Sequence, residues 1–224
     1  MSSHRKARSS NHPLARRALG LSLFAAGIAG AATAVPAQAT TGASHMAFAS
    51  DHIFSHADRA HHMRAEDSFT IRQFGTVNAA AARNQANAVS AGCSADDHCR
   101  SVALSFQIVT FAGERTHLNA VNLSDAANKE CTGCQTLAGA YQFVVSTPAP
   151  LTLDAGTRQQ LADIHSRLDA LTRCALPATE LKTRVDGLAG EVSAVLRDAV
   201  AHAPKAAAQP TVTLHRHLDG WPGR

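Results

Sequence analysis

The chain has 224 residues, with 21 Lys and Arg against 17 Asp and Glu and 13 His, a formal net charge of +4 with histidine neutral. Residues 1–39 hold five of the basic groups and none of the acidic ones, so the remainder carries 16 against 17, a net charge of -1. A body this close to neutrality lacks the basic face that nucleic-acid binding needs, which excludes that class of partner.

In chain order, Arg5, Lys6, Arg8, Arg16 and Arg17 precede an apolar run from Ala18 to Val35, followed by Ala37-Gln38-Ala39. A basic head, a short apolar stretch and an A-x-A site predict a secretory signal peptide over 1–39, cleaved after Ala39. The run is rich in Ala and Gly and falls short of the roughly 20 strongly apolar residues of a spanning helix. Arg16-Arg17 leaves Sec and twin-arginine export both open. The expected product is secreted, extracellular or held at the cell envelope, and does not span the membrane. Disulfides persist in that compartment.

Residues 40–66 are rich in Ala, Ser, His and Asp and read as a flexible leader. Within it His45, His52, His56, His61 and His62 cluster. His52 and His56 would share a helix face and, with Asp51 and Asp58, could hold a divalent metal weakly. A solvated, pH-sensitive leader is the favoured reading, and no metal or cofactor is assigned.

The segment 67–150 carries four of the five cysteines. Cys99-Arg-Ser-Val-Ala-Leu-Ser-Phe-Gln-Ile-Val109 aligns without a gap on Cys134-Gln-Thr-Leu-Ala-Gly-Ala-Tyr-Gln-Phe-Val144, so that Phe106 meets Tyr141 and Gln107 meets Gln142. Upstream, Asn84 precedes Cys93 by nine residues, as Asn122 precedes Cys131. Two tandem units of about 35 residues, packed on each other, are expected. Phe69, Ile71 and Phe74, and the alternation from Asn84 to Val89, suggest strands. Val102, Phe106 and Val109, like Leu137, Tyr141 and Val144, recur at helical spacing, while their β-branched and aromatic neighbours favour strand.

A redox Cys-x-x-Cys needs its first thiol at a helix N-terminus, where the dipole lowers the pKa. Cys131 and Cys134 have that spacing but their counterparts Cys93 and Cys99 do not, as expected of loops that only need closing. Local disulfides Cys93–Cys99 and Cys131–Cys134 are favoured, with crosslinks between the units, a four-thiolate zinc site and a redox pair remaining open.

The order of an Asn/Ala segment, a cysteine pair, "VALSFQIV", a second such segment and "CTGCQTLAGAYQFVV" resembles the C-terminal extracytoplasmic region of actinobacterial peptide zinc metalloproteases. It also resembles stand-alone secreted proteins of unknown function from the same bacteria. The likeness covers about Asn84 to Val200 and implies an accessory module. No HExxH occurs in the chain, so the zinc-and-glutamate chemistry of such proteases does not transfer.

Beyond it, Leu161, Ile164, Leu168 and Leu171, then Leu181, Val185, Leu188, Val192 and Val195, step by three and four, predicting a helical hairpin over 151–203 that breaks near Pro177. Cys174 lies at that break and is left unpaired, either free or buried. Residues 204–224 read as a disordered tail.

The expected fold is therefore α+β, with two cysteine-containing units packed on a C-terminal antiparallel helical hairpin. With no nucleophile elbow and no catalytic residue assigned, the leading function is a non-enzymatic, disulfide-stabilised structural or interaction module acting on an unknown protein or envelope partner. An extracytoplasmic thiol–disulfide oxidoreductase and a metal-binding exported protein are the alternatives.

Overall fold

The computed structural model describes residues 46–203 and 209–221; the expected signal peptide lies outside them. Seven strands and two helices appear there: β1 Met46–Ala57, β2 Met63–Thr76, β3 Ala79–Ala91, β4 Arg100–Ala112, β5 His117–Lys129, β6 Gln135–Thr147, α1 Ala155–Arg173, α2 Ala178–Ala201 and β7 Thr211–Gly220.

The strands alternate between two sheets. β1, β3 and β5 form the first, all parallel; β2, β4 and β6 form the second, also parallel, with β7 added antiparallel to β6. The chain thus winds through three coils, each giving one strand to each sheet. Met46 lies beside Ala79 and Ala79 beside His117, while Met63 lies beside Arg100 and Arg100 beside Gln135.

This overturns the expected α+β arrangement of two packed units. The molecule is mainly β, and residues that align in the sequence, such as Phe106 with Tyr141 and Asn84 with Asn122, are in-register neighbours within shared sheets. The physical reason is that one coil has only one strand per sheet and cannot bury its own faces, so coils stack edge to edge.

Burial follows from composition. In β3, Ala80, Ala82, Asn84, Ala86, Ala88 and Ser90 are buried and alternate with partly exposed residues, the pattern of a strand with one face in the core. β4 is buried throughout. Its Val102, Leu104, Phe106 and Ile108 pack with the helices, while Ala103 packs with Ala86 and Ala88 of the opposite sheet. The second sheet is therefore a middle layer, which is why its strands read as continuous apolar runs that imitate a buried helix.

The hairpin covers the outer face of that layer. Leu161, Ile164, Leu168 and Leu171 of α1 and Leu181, Val185, Leu188 and Val192 of α2 join Phe106, Tyr141 and Phe143 in the main cluster. Asp154 caps α1, its Oδ1 accepting from Thr157 N at 2.7 Å. Arg100, largely buried at the end of the middle sheet, donates to the Leu176 and Cys174 carbonyls at 2.7 and 3.2 Å and lies 4.9 Å from the Trp221 ring centre. One guanidinium thereby fastens the interhelical turn to the β layers. Burial pulls its pKa below the usual guanidinium value.

Two regions expected to be loose contain strands. The leader 40–66 contains β1 and the start of β2, and the tail 204–224 contains β7. β7 closes the last coil twice over. Its backbone pairs with β6, and its side chains serve β5: Ser124 N donates to His217 Nδ1 at 3.2 Å, and Ala126 N to Asp219 Oδ2 at 2.9 Å. Backbone donors along an otherwise open edge are satisfied this way.

Tyr141 ties the middle sheet to the helices. Its hydroxyl donates to Asp186 Oδ1 of α2 at 2.8 Å, and Arg216 of β7 donates to Asp186 Oδ2 at 2.7 Å. Burial, reinforced by the Asp186 carboxylate, pushes the phenol far above its ordinary pKa. An unfolded chain ionises this group near pH ~10. Above that pH the unfolded state binds fewer protons than the folded one, so stability falls as pH rises. Because the chain has a single tyrosine, phenolate absorbance should rise only with the loss of folded circular dichroism. Tyr141→Phe should lower unfolding free energy at neutral pH by about 1–2 kcal/mol in urea titration and remove this alkaline decline.

Candidate functional site: the cysteine corner

Each coil turns from the first sheet to the second through a short corner: residues 58–62, 92–99 and 130–134. Cys93 is joined to Cys99 and Cys131 to Cys134, with Cα separations of 6.0 and 5.7 Å. In both corners the bridge runs from the second residue after one strand to the residue directly before the next. The different spacings reflect different loop lengths between equivalent anchor points. In the first corner those anchor points are Arg59 and His62, where a ring nitrogen of His62 lies 2.7 Å from the Arg59 carbonyl oxygen. Coil one thus closes the same loop with a hydrogen bond.

The corners stack. Arg100 N donates to His62 O at 2.7 Å, Gln135 N to Cys99 O at 2.9 Å and Gly92 N to Lys129 O at 2.9 Å, which carries the sheet register into the turns. Asp58 folds the first corner back on itself, its Oδ1 accepting from Ala60 N and His61 N at 2.9 and 2.8 Å. Those donors hold the carboxyl below the usual aspartate range. The third corner has a tight backbone, with Glu130 at φ 48° and Gly133 at φ 77°. The His98 ring lies over Gly133, where an added Cβ would stand 3.2 Å from Nδ1.

Stacking brings sulfur onto sulfur. The Sγ atoms of Cys93, Cys131 and Cys134 all lie within 4.8 Å of one another. Cys93, Cys99 and Cys134 are buried and cluster with Ala57, and Cys131 is half-buried against them. The sequence favours local pairing of each bridge and leaves contact between the two units open; the contact itself depends on register between coils. Cys131 follows a strand and Cys134 precedes one, so no helix N-terminus stabilises a thiolate there.

Other candidate residues are dispersed. Cys174 carries a free thiol and is exposed at the end of α1. His52 and His56 lie on a strand, not a helix, so their four-residue spacing separates them by about 13 Å along one face. His61 and His62 belong to the first corner, and His45 lies outside the described residues. Among the described residues, three or more metal-ligating groups converge only at the sulfur stack. No helix there is long and apolar enough to cross a membrane.

No protein-family model, no curated protein and no solved structure matches the chain. The reading of the site rests on its geometry.

Closing a short loop removes conformational freedom from the unfolded chain, and for loops of these lengths the effect is about 2 kcal/mol each. Cys93→Ser with Cys99→Ser should therefore lower unfolding free energy by about that amount, and Cys131→Ser with Cys134→Ser by slightly less. Urea denaturation of the two double variants checks both the size and the order.

Proposed function

We propose that the chain is an exported, disulfide-stapled interaction module, and that it docks a protein of the cell envelope along β1. The observation that carries this reading is the inequality of the two ends of the coil stack. β7 seals the last coil, whereas among the described residues nothing pairs with the outer edge of β1. On the outward face of that strand Met46, Phe48 and Phe54 are 74, 67 and 51 % exposed. Natural edge strands are usually blunted by charge, proline or a bulge. β1 has Ser50 and His52 between Phe48 and Phe54 and His56 beyond them, and its one carboxylate, Asp51, alternates to the other side. An apolar, unblunted edge suits a partner that contributes an extended segment.

Export is supported by the basic-then-apolar head of the sequence and by two disulfides, which need an oxidising compartment. The resemblance to accessory extracytoplasmic regions of actinobacterial metalloproteases points the same way, and with no HExxH the module serves binding rather than hydrolysis.

Replacing Phe48 and Phe54 together by Lys puts charge on the docking edge without touching the core. The double variant should unfold within about 0.5 kcal/mol of the parent, and the share retained on the envelope of exporting cells should fall several-fold. Undiminished retention of the folded variant would rule out β1 as the docking edge.

A further inference from the structure

The two bridges do not sit in separate loops; they form one stack in which three sulfurs are mutually within 4.8 Å. We infer that the stack is a thiol–disulfide exchange site that oxidises external thiols, passing the exchange from the Cys131–Cys134 bridge to the Cys93–Cys99 bridge one coil away. This activity is independent of docking at β1.

Exposure sets the order of steps. Cys131 is the least buried of the four bridged cysteines and sits in an otherwise exposed turn, whereas Cys99 is fully buried. An external thiolate attacks Cys131 Sγ, forming a mixed disulfide; the Cys131–Cys134 bond breaks and its electron pair leaves on Cys134. Ordinarily a released partner thiolate re-closes on Cys131. Here a second electrophile is adjacent, since Cys134 lies against Cys93 in a shared cluster. Its attack on Cys93 Sγ forms a Cys93–Cys134 bond, breaks Cys93–Cys99 and leaves the electron pair on Cys99, which takes up a proton. A second external thiol then resolves the mixed disulfide at Cys131. Overall, two external thiols are oxidised to one disulfide, and the protein is reduced by two electrons, holding one inter-coil bond and thiols at Cys99 and Cys131.

The site has two further features that suit it to this role. His98, next to Cys99 in the second corner, lays its imidazole over Gly133 of the third corner, so the two corners pack directly on each other. The paired register of the corners, through Gln135 N to Cys99 O and Gly92 N to Lys129 O, holds the two bridges together while either one is open. The stack therefore differs from a helix-based redox pair: it makes the leaving thiolate react by proximity rather than by a lowered pKa.

The experiment is limited reduction of the full chain, with Cys174→Ser to remove the exposed fifth thiol, by glutathione at about one reducing equivalent per bridge, followed by acid quenching, alkylation and non-reducing peptide mapping. The expected two-electron product joins Cys93 to Cys134 and carries label on Cys99 and Cys131. A product labelled on both Cys131 and Cys134, with Cys93–Cys99 intact, would overturn the relay. A second variant reads the same step without added reductant. In Cys131→Ser the Cys134 thiol is permanently free, and the purified chain should contain a measurable share of Cys93–Cys134 with Cys99 alkylatable. Exclusive Cys93–Cys99 pairing there would count equally against the proposal.

Discussion

Asn84 lies at the centre of the molecule with both ends of its amide committed. Its Nδ2 donates to Asn122 Oδ1 at 2.9 Å, and its Oδ1 accepts from Ser105 Oγ, which also lies 2.8 Å from Asp51 Oδ2. Asp51, Asn84 and Asn122 are direct partners across the first sheet, so one polar rung threads all three coils through a layer otherwise lined by Ala86, Ala88, Ala103, Ala138 and Ala140. Sliding any of the strands by one residue would turn this rung outward and leave its partners unpaired in the core, at about 1–3 kcal/mol for each orphaned group. The alanines alone could not choose a register, because each resembles the next. The polar rung can.

Everything at the corners inherits that choice. The turns leave the sheets from fixed rungs, so their loops lie one above another, and the Cys93–Cys99 and Cys131–Cys134 bridges meet. Gln107 and Gln142 make a similar rung in the second sheet, with Gln142 Nε2 donating to Gln107 Oε1 at 2.8 Å and Gln107 Nε2 to the Arg83 carbonyl across the interior at 2.9 Å. Register is thus fixed in both sheets, and the small side chains between them demand no further shape matching.

The residues most legible in the sequence were those with a second copy or a long period. The leucine stripes of α1 and α2 stand out because they pack on one side only. β4 and β6 were ambiguous for the opposite reason: buried on both faces, they lose the period-two alternation that distinguishes a strand. β1 escaped notice because the first coil has Arg59 and His62 where later coils have cysteine, and because its outward residues mix Phe with His and Ser. β7 lies behind an Ala- and Pro-rich stretch, and its role emerges only when His217 and Asp219 reach the β5 backbone. The repeat makes the two bridges equivalent in the sequence, but that equivalent positions lie one above another follows only from the parallel register of the coils.

The two ends of the stack are also chemically unequal in a way that bears on what can join them. The rung that ends in Asn122 at the last coil is closed by β7, with Asn122 Nδ2 donating to the His215 carbonyl at 2.9 Å. At the first coil it ends in Asp51, whose Oδ2 accepts from Ser68 Oγ at 2.8 Å and lies 2.8 Å from Ser105 Oγ. A neighbouring strand offering an amide or hydroxyl at that level would extend the ladder by one further rung, through the same residue that completes the register of the core.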